Sequence, residues 1–127
     1  MSDINRVIVT GRLTRDPELR STSSGERLCR FTLASHYAVK TADGWAEKAN
    51  FFDVVAWGRQ AETLSRYLKR GERLLVDGEL RHSSWEHEGK RHNRVEIVLK
   101  RFSFMSSAQV DSEVAAVFSR PEDDIPF

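Results

Sequence analysis

The sequence contains almost no cysteine and no long apolar stretch. Its single cysteine, Cys29, cannot form an internal disulfide or supply a Cys-x-x-Cys metal site, which favours a reducing compartment. No apolar run approaches the roughly 18 residues that indicate a membrane helix, and the N-terminus lacks the apolar region of a secretion signal. We therefore expect a cytoplasmic protein that does not enter a membrane.

The motifs of common catalytic and metal sites are also missing. There is no Gly-x-x-x-x-Gly-Lys phosphate loop, no Gly-x-Ser-x-Gly turn and no His-Glu-x-x-His motif. The four histidines do not complete a zinc motif, since no Cys-x-x-Cys pair accompanies them and His87 and His92, five residues apart, would not share a helix face. Asp123 and Asp124 could bind the metal of a nuclease site only together with a further rigid carboxylate, which the sequence does not indicate. The sequence predicts a binding protein rather than an enzyme, with no cofactor and no metal.

The net charge is small in total but unevenly distributed. The 127 residues carry a formal charge of +1. From Ser106 onward the chain has five acidic residues and one basic residue, so that the first 105 residues carry +5 and the remainder −4. This asymmetry indicates an anionic ligand for the body and a basic partner for the end. We expect one domain at residues 1–105 and a short linker with an acidic tip at residues 106–127.

Residues 50–58, Asn-Phe-Phe-Asp-Val-Val-Ala-Trp-Gly, carry the strongest strand pattern. Aromatic and β-branched residues favour a strand, and Gly58 ends it. Alternation predicts an apolar inner face and an outer face with a charge in mid-strand, which therefore meets solvent. The inner set is Phe52, Val54 and Ala56, and the outer set is Phe51, Asp53, Val55 and Trp57. We expect Phe51 and Trp57 to be exposed rings about 20 Å apart.

Two more strands are predicted before this one. Residues 6–13 alternate in polarity, with Gly11 marking a bend or bulge. Residues 14–26 contain the turn formers of a long loop, and residues 28–39 form the second strand. A turn at residues 41–44 then leads into the strand at 50–58.

A helix and two strands are predicted after Gly58. Ala61, Leu64 and Leu68 have helical spacing, and Gly71 is expected as the C′ glycine that ends the helix. Residues 73–80 form a fourth strand, which continues through 81–87 to a turn at 88–90. Residues 94–104 form the fifth.

This order, β-β-β-α-β-β, is that of an all-β OB-fold, a five-stranded and partly open Greek-key barrel. The order alone also allows other five-stranded barrels. There is no repeat of 20 to 50 residues and no low-complexity tract that would point to another architecture.

Several blocks of sequence resemble bacterial single-stranded DNA-binding proteins. They are residues 7–20, which begin Val-Ile-Val-Thr-Gly-Arg-Leu-Thr, Phe-Thr-Leu-Ala at 31–34, residues 51–62, Tyr-Leu-Lys-Arg-Gly at 67–71, and Gly-Glu-Leu-Arg at 78–81 followed by Trp85. Asp-Asp-Ile-Pro-Phe at 123–127 is similar to the acidic C-terminal tip of that family. The order of the blocks and the tip together make the resemblance specific, and it covers nearly all of residues 4–105.

The resemblance implies a protein that binds single-stranded DNA without strong sequence preference during replication, recombination and repair. Family members stack bases on surface rings, and Phe51, Trp57 and Trp85 occupy the matching positions. Without the resemblance, core or interface packing would be as good an interpretation of Phe51 and Trp57. The family often has a tryptophan near the end of the second strand where this chain has Val39, so Trp45 and Tyr37 are further stacking candidates.

Phosphate contacts require cations, and seven arginines lie on predicted strand ends or hairpins. They are Arg12, Arg15, Arg59, Arg70, Arg81, Arg91 and Arg94. A single surface arginine is more often only solvated, so the group is a better candidate than any member. The resemblance also implies a homotetramer, in which several barrels bind one strand, with Phe52 and the edge of the first strand as interface elements.

The tip combines two charges with apolar side chains, as a compact peptide ligand does. Its residues are Asp123, Asp124, Ile125, Pro126 and Phe127. In the family this tip recruits replication and repair proteins, whereas most acidic ends are only solubilising tails. The spacer of about 20 residues is shorter than is usual and spans roughly 25 Å as a coil. A tip held this close would compete with DNA for the basic groove.

Two other functions remain open at this point. An RNA-binding OB module of the cold-shock or initiation-factor kind would have no use for the tip, and a replication-restart accessory protein would not be expected to carry it. Titration with DNA and RNA homopolymers separates the first alternative, and a pull-down with and without residues 123–127 separates the second. The resemblance places the chain in the bacterial cytoplasm, associated with the nucleoid.

Overall fold

A computed structural model describes residues 2–105 of the chain. Six strands and one helix follow in the order β1 (Val7–Leu13), β2 (Glu18–Ser21), β3 (Arg27–Thr41), β4 (Gly44–Trp57), α1 (Arg59–Tyr67), β5 (Arg73–His87) and β6 (Lys90–Met105). The strands form one sheet in the order β1-β5-β6-β4-β3-β2, and β1 also pairs with β3. This second pairing closes β1, β5, β6, β4 and β3 into a barrel. The predicted five-stranded barrel with one helix before its last two strands is confirmed.

The barrel is closed where β1 passes between β5 and β3. β1 pairs with β5 from Val7 to Arg12, but among the described residues it pairs with β3 only through Arg12 and Leu13. Gly11 precedes this junction, and a Cβ atom on it would lie 2.7 Å from the carbonyl oxygen of Ala34. A glycine is therefore required because two backbones approach each other closely here.

Of the bend or bulge predicted at Gly11, the bulge is wrong, because β1 pairs with β5 without a shift from Val7 to Arg12. The register shift lies instead in the β5–β6 pair, between Asp77 and Gly78. Asp77 pairs with Arg101 and Gly78 with Leu99, so Lys100 is an extra residue in β6. Its carbonyl accepts a hydrogen bond of 2.8 Å from Nε2 of Gln60 on α1. Because the side-chain period of a strand is two, the extra residue reverses the alternation of β6 at this point.

The core lies inside the barrel and beneath the helix. Leu33, Leu74 and Val54 are fully buried, and the helix adds Ala61 and Leu64 to the same cluster. Burying such an aliphatic side chain is worth about 1.5 to 3 kcal/mol, so this cluster is the main source of stability. The predicted inner face of β4 is confirmed for Val54 and Ala56, while Phe52 is partly buried against the same cluster.

Two predictions between the strands need correction. The expected loop at 14–26 contains β2, which pairs with β3 although all four of its residues are exposed. Gly71 is not the C′ glycine, since α1 ends at Tyr67 with Leu68 as its cap. Gly71 instead lies in a turn of residues 69–72 and has a φ of +87°. The amide of Glu72 closes this turn by donating a hydrogen bond to the carbonyl of Lys69. Gly71 thus occupies the turn position that requires a positive φ.

Two hairpins continue beyond the barrel. β3 and β4 stay paired as far as Thr41 and Gly44, beyond the predicted strands at 28–39 and 50–58, and β5 and β6 stay paired as far as His87 and Lys90. The predicted turn at 41–44 is confirmed. Residues 81–95 of the second hairpin are all exposed. Glu88 and Gly89 have φ values of 53° and 76°, which fits the two-residue turns that match strand twist. Within residues 2–105 no helix has the length and apolar character that a membrane crossing demands.

Candidate nucleic-acid interface

The outer face of β4 carries the two rings that were predicted to be exposed. The exposed fraction of the side chain is 67% for Phe51 and 40% for Trp57. In the neighbouring strand Phe51 pairs with Ala34 and Trp57 with Leu28, so each ring stands beside a small or aliphatic side chain on the same face. Both rings therefore have a flat surface open to a ligand.

Val55 lies between them and is buried, which corrects the prediction that it meets solvent. It forms a small apolar cluster with Leu28 and Val98, separate from the core inside the barrel. Val55 is aligned with Val98 in the parallel pairing of β4 and β6. The outer face thus has its own packed support next to Trp57, which restricts how the strands beneath the rings can move.

The carboxylates of this face are held by neighbouring side chains. Oγ1 of Thr32 donates a hydrogen bond of 2.8 Å to Asp53, and Nε of Arg30 lies 3.4 Å from a carboxylate oxygen of Glu96. A charge in mid-strand is tolerated here because it is exposed and has a partner. The ion pair with Arg30 offsets the charge of Glu96, whereas the neutral hydroxyl of Thr32 orients Asp53 and leaves its charge in place.

A groove with a volume of about 330 Å³ runs over this part of the face. Its lining includes four arginines and three carboxylates, an excess of one positive charge, together with Leu28, Phe31, Thr32 and Val54. The arginines are Arg15, Arg20, Arg30 and Arg94. Guanidinium groups bind phosphate through paired hydrogen bonds, so the groove can accept an anionic backbone.

The β5–β6 hairpin extends the same face. Trp85 pairs with His92, and their rings stack with centroids 5.6 Å apart and 21° between the planes. Cζ of Arg94 lies 5.4 Å from the centroid of the Trp85 ring, within the range of a cation–π contact. Alternation places Trp85, His92 and Arg94 on the side of Glu96 and Val98. The hairpin and the outer face of β4 are therefore continuous.

The two further stacking candidates lie on different sides of the β3–β4 hairpin. Trp45 pairs with Lys40 and follows the alternation of Phe51, whereas Tyr37 pairs with Lys48 and follows the opposite alternation. Both rings are exposed and line one shallow groove at the hairpin end. Trp45 therefore shares the face of the other rings, and a strand would reach Tyr37 only over the edge of the hairpin.

The seven predicted arginines do not form one group. Arg15 and Arg94 line the groove, and Arg81 lies on the same face, 2.6 Å from Glu79. Arg12 pairs with Ala34, the neighbour of Phe51, and Nη1 of Arg12 donates to the carbonyl of Gly71 at 2.9 Å. It therefore borders the face.

The other three are placed differently. Arg59 lines a second groove together with Trp57, Arg27 and Glu62. Arg70 lies in the turn after α1, where its amide donates to Asp16 at 2.8 Å. Arg91 pairs with Glu86, on the side of the hairpin opposite Trp85. Arg70 and Arg91 are thus not brought together with the rings.

Three residues of the face escaped the sequence analysis. Arg20 belongs to β2, which was predicted as loop, and Arg30 lies within a strand, whereas the predicted arginines lie on strand ends or hairpins. His92 was weighed only as a metal ligand. Its position opposite Trp85 depends on the turn register, and the Glu-Gly pair at 88–89 is the signal that could have fixed it.

Possible metal ligands are not clustered in the described part of the chain. Residues 2–105 contain no cluster of three or more histidine, cysteine or acidic side chains that could hold a metal ion. The predicted tip, Asp123 to Phe127, lies outside the described residues.

Comparisons with known proteins agree with this geometry. Residues 4–105 match the model of the single-strand binding protein family. A single-stranded DNA-binding protein of Treponema pallidum is 49% identical over 107 residues, covering 84% of this chain and 61% of that protein. One from Borreliella burgdorferi is 34% identical over 132 residues, covering 98% of this chain and 89% of that protein. The chain therefore spans about three fifths of the first relative.

A solved structure shows the same fold at low sequence identity. It is described as a Plasmodium falciparum SSB complex with ssDNA, and it matches with a TM-score of 0.75 at 20% identity. The match covers 84% of this chain and 98% of that chain. The OB-fold predicted from the order of strands and helix is thus confirmed.

Proposed function

Since the chain belongs to the single-strand binding protein family, we propose that it binds single-stranded DNA without strong sequence preference. The observation that carries this proposal is one continuous outer face with Phe51, Trp57 and Trp85 exposed on it. Stacking on an aromatic ring is worth about 1 to 3 kcal/mol per base and tolerates every base, because each has a π-face. Trp45 extends this row along the β3–β4 hairpin, and Tyr37 stays a prediction.

Arginines between the rings hold the phosphates. The group comprises the predicted Arg12, Arg15, Arg59, Arg81 and Arg94, and the newly found Arg20 and Arg30. Binding then weakens with salt, at a slope of about −0.7 in log affinity against log salt per phosphate neutralised. Arg70 and Arg91 remain predictions, since the structure separates them from the rings.

We also propose that the chain works as a homotetramer. Most of β1 offers an edge to a second copy, because within residues 2–105 it pairs with β3 only through Arg12 and Leu13. Ile8 is exposed on this strand, and Phe52 is only partly buried. A barrel of this size covers few nucleotides, so several barrels on one strand would supply high affinity.

The domain division and the role of the tip complete the proposal. Residues 1–105 bind DNA, and residues 106–127 connect this domain to the tip at 123–127. Two aspartates followed by Ile125, Pro126 and Phe127 suit a pocket with a basic rim on a replication or repair protein. The chain would thus protect single strands and recruit partners during replication, recombination and repair in the bacterial cytoplasm, at the nucleoid.

The DNA-binding proposal is tested by titrating the full chain with oligo-dT and oligo-rU while following tryptophan fluorescence. We expect quenching by both ligands if they stack, tighter binding of DNA, and a linear loss of affinity with log salt. A clear preference for RNA would favour an RNA-binding OB module, and no binding to oligo-dT at low salt would refute the proposal.

The recruiting role of the tip needs a separate experiment. The full chain and a variant without residues 123–127 are used to capture purified replication and repair proteins. The full chain should retain partners that the shortened variant releases, while both bind oligo-dT. Equal capture by both would show that the tip does not recruit.

A further inference from the structure

The rings at the end of the β5–β6 hairpin include two histidines. His92 stacks on Trp85, and the ring centroids of His87 and His92 lie 6.4 Å apart with 54° between the planes. Trp85 pairs with His92 and His87 with Lys90, so alternation places all three rings on one side of the hairpin. We call Trp85, His92 and His87 the ring row. It continues the outer face away from the barrel.

We propose that His92 and His87 belong to the DNA interface and make its affinity depend on protons. This inference rests on the function proposed above. His92 covers part of one face of Trp85 and adds its own ring to the stack. Both imidazoles lie on the side of the hairpin that carries Trp85, so that a DNA strand stacked on Trp85 can pass over them. Histidine is the side chain that ordinarily changes charge between about pH 5 and 8. Protonation would place one or two additional cations beside the phosphates, so binding tightens as the pH falls.

The charged groups around the two imidazoles come from both strands and from the turn. Lys90 and Arg94 lie on the same side of the hairpin, and a carboxylate oxygen of Glu88 is 3.8 Å from Nε2 of His87. Glu86 and Arg91 point to the other side. The side of the ring row thus carries the two fixed cations Lys90 and Arg94 and borders the one carboxylate of Glu88, which leaves a net positive charge for a phosphate.

His82 provides a matched control within the same hairpin. It pairs with Val95 and follows the opposite alternation to Trp85. It has the same chemistry and is also exposed, but it lies on the other side from the ring row. A general effect of histidine charge on a polyanion would include His82, whereas a contact at the ring row would not.

The test measures oligo-dT affinity of the full chain at about pH 8 and about pH 6, the range over which histidine ordinarily titrates, at constant salt. Wild type should gain affinity at the lower pH. In His87→Gln and in His92→Gln the gain in affinity should be about two- to fivefold smaller than in wild type, as expected for the loss of one exposed ion pair. At the lower pH each should also reduce the salt slope by about 0.7 for every phosphate that the missing imidazolium no longer neutralises. His82→Gln should keep the whole gain.

A further variant separates stacking from charge. His92→Phe keeps a flat ring on Trp85 and should match wild type at the higher pH, where His92→Ala binds more weakly, yet it should gain less at the lower pH. Equal gains in wild type and the His87→Gln/His92→Gln double variant would overturn the inference while the proposed function stands. Loss of the gain in His82→Gln would overturn it too. No binding at either pH would refute both proposals.

Discussion

The barrel and the hairpin end differ in what holds the same two strands together. In the barrel half of β5, Leu74 and Val76 are fully buried, whereas every residue from 81 to 95 is exposed. Pairing between β5 and β6 nevertheless continues as far as His87 and Lys90. Beyond the core, the two strands are therefore held together by backbone hydrogen bonds and by contacts between paired side chains. Side chains in the barrel are constrained by packing, and those at the hairpin end are available to a ligand.

The largest effect that this comparison predicts is on DNA affinity. Replacing Phe51, Trp57 and Trp85 together by alanine removes about 1 to 3 kcal/mol for each ring that stacks on a base. The affinity for oligo-dT should fall by several orders of magnitude, measured by fluorescence anisotropy of labelled DNA. Urea unfolding should change little, because all three rings lie outside the core.

Tyr67→Ala is the matched control for this variant. Tyr67 is an equally exposed ring, but it lies at the end of α1 and not on the outer face. The Tyr67→Ala variant should therefore bind oligo-dT with the affinity of wild type. An unchanged affinity in the folded triple variant would contradict the stacking mechanism.

The second effect is on stability, which should depend on the barrel and hardly on the hairpin end. Leu33→Ala leaves a cavity in the barrel and should cost about 2 to 5 kcal/mol of unfolding free energy. Val95→Ala, at an exposed position of the hairpin, should stay within about 0.5 kcal/mol of wild type. Urea unfolding at one fixed protein concentration measures both, since assembly would shift the apparent values. Similar losses for the two would show that the hairpin has a core of its own.

The third effect concerns Cys29, which lies in the barrel wall. Burial raises the pKa of its thiol from 9.0 to about 11. Because the thiolate is the reactive form, labelling at pH 8 should be about a hundredfold slower in the folded protein than after unfolding. Because burial penalises the thiolate, the unfolding free energy is unaffected by this group below pH 9 and falls as the pH rises from 9 to about 11. Equal labelling rates in native buffer and in urea would contradict this burial.

The smallest effect is expected from a single cation in the groove. Arg30→Ala should lower DNA affinity by about 1 kcal/mol, because it removes one exposed cation and leaves the Glu96 carboxylate unpaired beside the DNA. If Arg30 contacts one phosphate, its loss should reduce the salt slope by about 0.7. Arg66→Ala on α1 is the control and should leave the slope unchanged. An unchanged slope in Arg30→Ala would remove this residue from the interface.

The sequence predicted the parts of the fold in which alternation and burial coincide. The strand predicted at 50–58 forms the second half of β4, and the helix with Ala61 and Leu64 was found, because their apolar residues recur with the period of the element. The start of β4 at Gly44 and the end of α1 at Tyr67 were missed. The family assignment also confirms the prediction of a binding protein that is not an enzyme.

What escaped prediction depends on contacts between distant segments. β2 carries no apolar alternation and exists through its pairing with β3. Val55 is buried by Leu28 and Val98, which belong to other strands. Gly71 is a residue type that often ends a helix, but here it lies in a turn. Its amide donates a hydrogen bond to the carbonyl of Leu13, which holds this turn against β1. The alternation within each strand was enough to predict an outer face. The groove could not be predicted, because its lining comes from several strands that are distant in the sequence.

The extra residue at Lys100 has a consequence for how this chain can change in length. Before it Ile97 and Leu99 point inward, and after it Phe102 and Phe104 take that side, opposite Val76 and Leu74. Deleting or adding one residue between the barrel and Trp85 would turn every later side chain of that strand to the wrong side. Variants of this hairpin that still bind should therefore differ by two residues in each strand, so that a longer or shorter arm keeps its rings facing the same way.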